Sequence, residues 1–461
     1  MNIVLLNPDQ MRWDYCTHAG HPFIGTQHLS RLAEKGTAFS HAFVACPMCA
    51  PSRTSFVTGT YPIEHGVRNY GPAFEPRRPN ALANLGAAGY VRALYGKDHM
   101  VAETPQVRAV GTFYDEGENI CIGNMDKHPD YKHSYSSGPL AADSPWNLTQ
   151  RLTTAAIEFI QRQAAARQKF FVTINYQDPH PYFTCPEPYA SMFSPDQFSL
   201  PPSFRHDPDP REPTRLTLWR QHSGHRDATD LEMRRLMAFY CGQIRYVDDQ
   251  LGRVLDCLTR LGIMDQTIVL FWSDHGEYLN DFGVTHKQAT FYDCLVRVPM
   301  VLWDPTGKVP RGRCDNLVEA MDILATILDL VGVPQPAGSK AWSLVRADYV
   351  PRADVFADAG LYRRPPSEPI PGLRLRAGFP PTAYGPGAML RTRTHKLCVH
   401  AFDRTELYEL SSDPQEMHNL ADLPEHAAAQ AALNRRLMQR LLCLGQAPEH
   451  VPGWGAEVRS R

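Results

Sequence analysis

Short apolar runs alternate with longer stretches of helical period along most of the chain. Ile3 to Leu6, Val91 to Tyr95, Phe170 to Tyr176, Thr267 to Trp272 and Val298 to Trp303 are apolar runs bounded by polar, glycine- or proline-containing turns. Each reads as a strand buried on both faces. Between and beyond them lie helical patterns at 28–36, 80–89, 147–168, 228–261 and 319–331. In the longest, Leu236, Tyr240, Ile244, Val247, Leu251, Leu255 and Leu258 line one face, and the pattern closes near Gly262. This alternation predicts an α/β fold: a large, mostly parallel mixed sheet flanked by helices.

After about residue 350 the pattern changes. Short strand-like pieces at Asp354–Ala357, Ala388–Arg393, Lys396–His400 and Glu406–Leu410 precede one helix at 425–443. They predict a small C-terminal antiparallel sheet with a helix. At 461 residues the chain exceeds what one core usually spans. The expected division is an α/β domain over 1–350 and a small α+β subdomain over 351–461. Three irregular stretches, 100–146, 184–227 and 364–387, are expected to wall a pocket.

Charge narrows the partners. The 47 basic and 49 acidic residues nearly balance, so neither nucleic acid nor a membrane surface is expected as a partner. No apolar run reaches membrane-spanning length. The start, Met-Asn-Ile-Val-Leu-Leu-Asn-Pro-Asp, lacks a basic leader and a long apolar segment, and the 11 cysteines follow no framework spacing. Both features lead to the expectation of a cytoplasmic protein; oligomerisation stays open.

The strand ends carry the chemistry. Asp9, Lys97 with His99, His180, and Asp274 with His275 each follow a predicted strand, and ligands of open α/β sheets gather at such carboxyl ends. Asp9, Asp274 and His275 suit a divalent cation. Asp274-His275, between Ser273 and Gly276, reads equally well as a helix cap. Cys49 stands just before Pro51, and the run that follows stops at Gly59, which predicts a helix with the cysteine at its entrance. The helix dipole and Arg53, one turn on, favour negative charge there, so Cys49 is a candidate nucleophile. The plainer readings are a small buried hydrophobe, or half of a zinc or redox pair with Cys46. No second C-x-x-C supports the pair.

The segment Cys49-Ala-Pro-Ser-Arg-Thr-Ser-Phe-Val-Thr-Gly59 resembles the C-x-P-S-R signature of the type I, formylglycine-dependent sulfatases of the alkaline phosphatase superfamily. Phe271-Trp-Ser-Asp-His-Gly-Glu277 resembles that family's second metal motif, and Gly96-Lys-Asp-His99 its G-K-x-H strand end. His180 in D-P-H-P-Y-F matches a substrate-side histidine, and Lys287 the later lysine that holds a sulfate oxygen. Segments 393–396, 406–410 and 413–420 resemble the family's C-terminal subdomain. The resemblance implies an alkaline phosphatase-like fold and hydrolysis of a carbohydrate or aryl sulfate monoester. Cys49 would be converted to formylglycine by a formylglycine-generating enzyme, and its hydrate would attack sulfur.

The implied catalytic set is Cys49, Arg53, Lys97, His99, His180 and Lys287. Arg53, Lys97 and Lys287 would stabilise the sulfuryl oxygens. His180, with Lys97, would protonate the leaving oxygen, and His99 would help the second hydroxyl expel sulfate. The implied metal set is Asp9, Gln10, Cys49, Asp274 and His275. Many members have two adjacent aspartates where this chain has Asp9-Gln10, which removes a negative charge, and His275 replaces a commoner asparagine. Calcium is favoured, with manganese or magnesium as alternatives. The Asp-Gln opening also resembles phosphonate monoester hydrolases and choline sulfatases, so a phosphonate monoester or phosphodiester hydrolase is the competing reading. The G-K-x-H and C-x-P-S-R motifs favour the sulfatase. Around this set, Arg12 and Asp14 are expected behind the site, Asp248 and Asp249 as caps or ion pairs, and Arg68 without an assigned role.

Overall fold

The computed structural model describes residues 1–68, 78–97, 99–100, 112–113, 137–144, 147–205, 209–222, 228–360 and 385–444. Its strands are β1 (Asn2–Asp9), β2 (Thr37–Phe43), β3 (Val91–Gly96), β4 (Thr112–Phe113), β5 (Ser137–Leu140), β6 (Phe170–Pro179), β7 (Phe183–Pro186), β8 (Thr267–Trp272), β9 (Met300–Trp303), β10 (Gly312–Glu319), β11 (Val355–Ala359), β12 (Gly387–Arg391), β13 (His395–His400) and β14 (Glu406–Glu409).

The main sheet runs β10-β2-β9-β8-β1-β6-β3-β4. Only β9 is antiparallel to its neighbours. In the middle, Leu5 of β1 pairs with Thr173 of β6 on one side and Leu270 of β8 on the other. Alternation along β1 then divides the core. Ile3 and Leu5 pack with Phe56, Val57, Ile323 and Ile327, from the helices Cys49–Thr58 and Ala320–Leu330. Val4 and Leu6 pack with Phe159, Ile160, Leu236 and Ile244, from the helices Leu148–Ala165 and Asp230–Arg260. Each face buries its own helical layer, which is why these strands are apolar on both sides.

The small sheet is antiparallel in the order β11-β12-β13-β14. Leu433 and Leu437 of the helix Ala427–Cys443 close a core over its Phe356, Leu390, Leu397 and Leu407. Buried ion pairs fasten this sheet to the main body. Arg391 holds Asp293 with two hydrogen bonds of 3.0 and 2.8 Å, and Lys396 reaches Asp293 at 2.6 Å, Glu416 at 2.5 Å and the Phe291 carbonyl at 2.8 Å.

The sequence pattern anticipates the central strands and the C-terminal sheet but omits β2, β10 and the short strands β4, β5 and β7. β2 and β10 interleave half-buried or exposed polar residues with the apolar ones: Ser40 and His41 in β2, Arg313, Asp315 and Asn316 in β10. β6 continues past Tyr176 through Gln177-Asp178, because polar groups at that end serve the site and break the apolar run. Within 184–227, expected to be irregular, a helix forms at Thr214–His222. Its Arg215 is fully buried, donating to Asp403 at 3.2 Å and the Ala289 carbonyl at 2.7 Å, and so interrupts any apolar period. Most of 100–146 and 364–387 lies outside the described residues. Among the described residues no helix is long and apolar enough to cross a membrane.

Phe56 stacks on Trp272 with centroids 3.9 Å apart, both rings buried, and so fixes the helix Cys49–Thr58 against β8. Phe56→Ala should lower unfolding free energy by about 3–5 kcal/mol in a denaturant titration. A loss under about 1 kcal/mol would show that this contact does not anchor the helix.

Candidate active site

Cys49 is the first residue of its helix, preceded by the extended Met48 and followed two residues later by Pro51. Gly59 ends the helix at φ 68°, donating its N–H to Ser55 O at 2.8 Å. A Cβ at residue 59 would lie 2.1 Å from Ser339 Oγ, so glycine is required there on both counts. Every residue of the helix is buried, which holds Cys49 rigidly against the sheet end.

Two buried carboxylates face that helix. Asp9 ends β1 and Asp274 follows β8, and both are fully buried. Arg53 spans them, with Nε donating to Asp274 Oδ2 at 2.7 Å and Nη2 to Asp9 Oδ2 at 3.1 Å. Lys97, just past β3, adds a bond from Nζ to the same Asp9 oxygen at 2.5 Å. Burial opposes the Asp9 charge, yet Lys97 and the other nearby cations outweigh it and hold the carboxyl well below its usual range. Burial also pushes the Cys49 thiol up; Lys97, Lys287 and a contact from His275 overcome this and leave it lowered.

Two acceptors of this cluster point at each other. Asp9 Oδ1 and His275 Nε2 are buried without a nitrogen or oxygen partner and lie 3.7 Å apart, with the Cys49 sulfur beside them. Nδ1 of His275 donates to the Gly276 carbonyl at 2.8 Å, so Nε2 keeps its lone pair. Asp274 Oδ1 is 3.9 Å from Nε2, and ligand atoms of Asp9, Cys49 and His275 lie within 4.8 Å of one another. Facing lone pairs without a proton between them fit a divalent cation. The helix-cap reading of Asp274-His275 fails: no helix starts there, and Ser273 Oγ instead binds Pro8 O at 2.9 Å and Met11 N–H at 2.9 Å. Gly276 is needed for packing, since a Cβ would meet Cys294 O at 1.9 Å.

Gln10, one of the residues expected around the metal, joins the same buried network through its side-chain amide. Its side-chain oxygen accepts from Lys287 Nζ and its amide nitrogen donates to Glu277 Oε2. Glu277 also accepts from the backbone N–H of Leu279 at 3.0 Å and from that of His286. Burial raises the Glu277 carboxyl to about 7 against these donors. Burial lowers the Lys287 ammonium, although Cys49 and Asp9 oppose the shift.

His180 follows β6, with Nδ1 2.5 Å from Pro181 O and 2.9 Å from the Gln177 side-chain nitrogen. Burial, then the positive charge of Lys287 and Lys97, holds the imidazole well below its ordinary value, hence neutral. His99 is half-buried, two residues past Lys97.

One hydrogen-bonded network therefore joins Asp9, Gln10, Arg53, Lys97, Asp274 and Lys287, with Cys49 and His275 against it and His180 close enough to act on the Asp9 charge. Arg53 differs from expectation. Its guanidinium is committed to carboxylates and to the Lys97 carbonyl, so it sets the cluster's geometry. Arg12 pairs with Asp14 and Asp281 and donates to the Glu277 and Tyr278 carbonyls, bracing the segment behind His275. Asp248 accepts from His28 and Leu29 N–H groups as a helix cap. Arg68 pairs with Asp358 at 3.0 Å. Glu277 was not anticipated, though it stands in the same motif as Asp274. Tyr240, whose hydroxyl bonds the Gln10 carbonyl at 2.8 Å and the Arg12 N–H at 2.9 Å, sits in a helical core stripe that gives no such signal.

The family model for sulfatases matches residues 1–333. The chain belongs to the sulfatase family. Membership makes it a sulfuric ester hydrolase, and the family in general employs a divalent metal and a formylglycine. This sulfatase is 26% identical over 426 residues to the uncharacterized sulfatase YidJ of Escherichia coli strain K12, covering 88% of this chain and 80% of that one. It is 27% identical over 510 residues to the multifunctional alkaline phosphatase superfamily protein PehA of Trinickia caryophylli, covering 95% of each. A solved structure in complex with its substrate D-glucosamine-2-N,6-O-disulfate shares the fold, with TM-score 0.77, 19% identity, and coverage of 98% of this chain and 99% of that one.

Arg53→Lys removes the fork that joins both carboxylates, since one ammonium cannot reproduce Nε and Nη2 together. The variant should lose about 3–5 kcal/mol of stability, as expected for a broken buried pair, together with most of its turnover. A thermal midpoint and kcat equal to those of the parent would show that the fork is dispensable.

Proposed function

We propose that this sulfatase hydrolyses a carbohydrate or aryl sulfate monoester after a formylglycine-generating enzyme has converted Cys49, with one divalent ion held by Asp9, Asp274, His275 and residue 49. The observation that carries the reading is the pair of orphaned acceptors, Asp9 Oδ1 and His275 Nε2, beside a helix-entrance Cys49 and two lysines. Calcium is the favoured ion because the set is rich in oxygen, and the one imidazole brings in manganese and magnesium as alternatives. Gln10 stands beside that set, in contact with Lys287. When present, the metal and the hydrated aldehyde supply Lewis acidity and an oxygen nucleophile that can be regenerated.

The chain's own residues do the rest. Lys97 and Lys287 hold the sulfate oxygens in line with residue 49 and balance their charge. Arg53 keeps Asp9 and Asp274 at fixed positions. His180 is neutral in the free protein because it is buried and two lysines face it. A bound sulfate monoanion offsets those lysines and raises the imidazole toward the protonated form, which can then protonate the departing oxygen at Nε2. His99 assists the final release of sulfate. Residues 1–350 form the catalytic domain on this reading, and 351–461 the subdomain that braces it.

The second reading is a phosphonate monoester or phosphodiester hydrolase using the same nucleophile. It is supported by Asp9-Gln10 and by the likeness to the solved phosphonate monoester hydrolase of Silicibacter pomeroyi, 25% identical with TM-score 0.76 over 96% of this chain and 95% of that one. Matched phenyl sulfate and phenyl phosphonate esters should give a higher kcat/KM for the sulfate; a large phosphonate advantage would replace the first reading by the second.

Mass spectrometry of the tryptic peptide 36–53 from native-host protein should show formylglycine at residue 49; an intact thiol throughout active material would sink this mechanism. His180→Ala should lower kcat about 100-fold or more for alkyl sulfates, but far less for nitrophenyl sulfate, whose leaving group needs no proton. Equal losses for both would remove His180 from the acid role.

A further inference from the structure

Gln10 is held in place by contacts on every side. It sits at φ 69°, its N–H donates to Asp274 Oδ1 at 3.1 Å, and its carbonyl accepts from Tyr240. Its backbone is thus pinned by β1, β8 and the long helix, leaving the side-chain amide to be oriented by what it touches. On one side is Lys287, which only donates; on the other is Glu277. Glu277 in turn receives the Leu279 and His286 N–H groups, backbone donors that cannot reverse. The line reads backbone N–H to carboxylate, carboxylate from amide nitrogen, amide oxygen from ammonium. With glutamate at 277 and glutamine at 10, that polarity orients the amide, its nitrogen toward Glu277 and its oxygen toward Lys287.

We propose that Glu277 is a positioning residue: it fixes the orientation of the Gln10 amide and, through it, the place of the Lys287 ammonium that faces the sulfate. This rests on the reading of Lys287 as a sulfate-holding residue.

The polarity argument yields a reversal test. In Glu277→Gln, the new oxygen stays with the backbone donors and the new amide nitrogen meets the Gln10 amide nitrogen. Gln10 must then turn its own nitrogen toward Lys287, so one donor–donor clash persists in either orientation. In Gln10→Glu, two carboxylates meet. In the double variant Gln10→Glu/Glu277→Gln, the amide at 277 donates to the carboxylate at 10, which accepts from Lys287, and every partner is again satisfied.

Binding of inorganic sulfate, measured by calorimetry beside the thermal midpoint, reads the outcome. Each single variant should weaken sulfate binding about tenfold or more, the consequence of a mispaired buried polar group, and the double variant should return to within about threefold of the parent. Recovery of binding and folding by the double variant supports the proposal even if a single variant does not fold. A double variant no better than the worse single, or a Glu277→Gln protein that binds sulfate like the parent, would overturn it. So would a parent protein that binds no sulfate. A parent that hydrolyses no sulfate ester but shows the reversal would instead refute the proposed function and leave Glu277 in its positioning role.

Discussion

The fork of Arg53 between Asp9 and Asp274 is the constraint on which the site depends. Both carboxylates are fully buried, and a buried charge without a partner costs several kcal/mol. The guanidinium satisfies one oxygen of each; Asp274 Oδ1 takes the Gln10 N–H, and Asp9 Oδ1 is left 3.7 Å from His275 Nε2. Because Arg53 lies one turn past Cys49, the same contact locks the Cys49 helix to the ends of β1 and β8. Lys97 ties in β3 through Asp9. Three strand ends and one helix thus converge because their charges must be paired.

A second layer carries this order outward. The segment from Glu277 to Val296 brings Glu277 and Lys287 to the site, and Arg12 braces its near end. Its far end is held by the C-terminal sheet, through Arg391 and Lys396 on Asp293 and Lys396 on the Phe291 carbonyl. The small sheet is therefore connected to catalysis through a chain of buried ion pairs, although it supplies none of the clustered site residues. Such pairs favour one arrangement over others, because breaking either partner leaves a charge stranded.

Much of this was legible in the sequence where a residue's role agrees with its local pattern. Asp9, Lys97, His180 and Asp274-His275 all stand where an apolar run stops, and buried strands deliver polar groups at such ends. Cys49, Pro51 and Gly59 mark a helix by position alone. Legibility failed where tertiary partners decide. Nothing in the local pattern shows that Arg53 meets two carboxylates, or that the Gln10 amide lies between Glu277 and Lys287. β10 gave no strand signal because one face of this edge strand is wet, and Arg215 hid a helix because a buried arginine reads as exposed.

The account stands or falls on the cation proposed to lie between Asp9 and His275. The direct measurement is a calorimetric titration of calcium, manganese or magnesium into metal-stripped protein, run beside Asp9→Asn. One ion per chain should bind the parent protein, and the variant should lose most of that affinity, since the substitution replaces a charged ligand by a neutral amide. A parent that binds no divalent ion, or a variant that binds it equally well, would contradict the account.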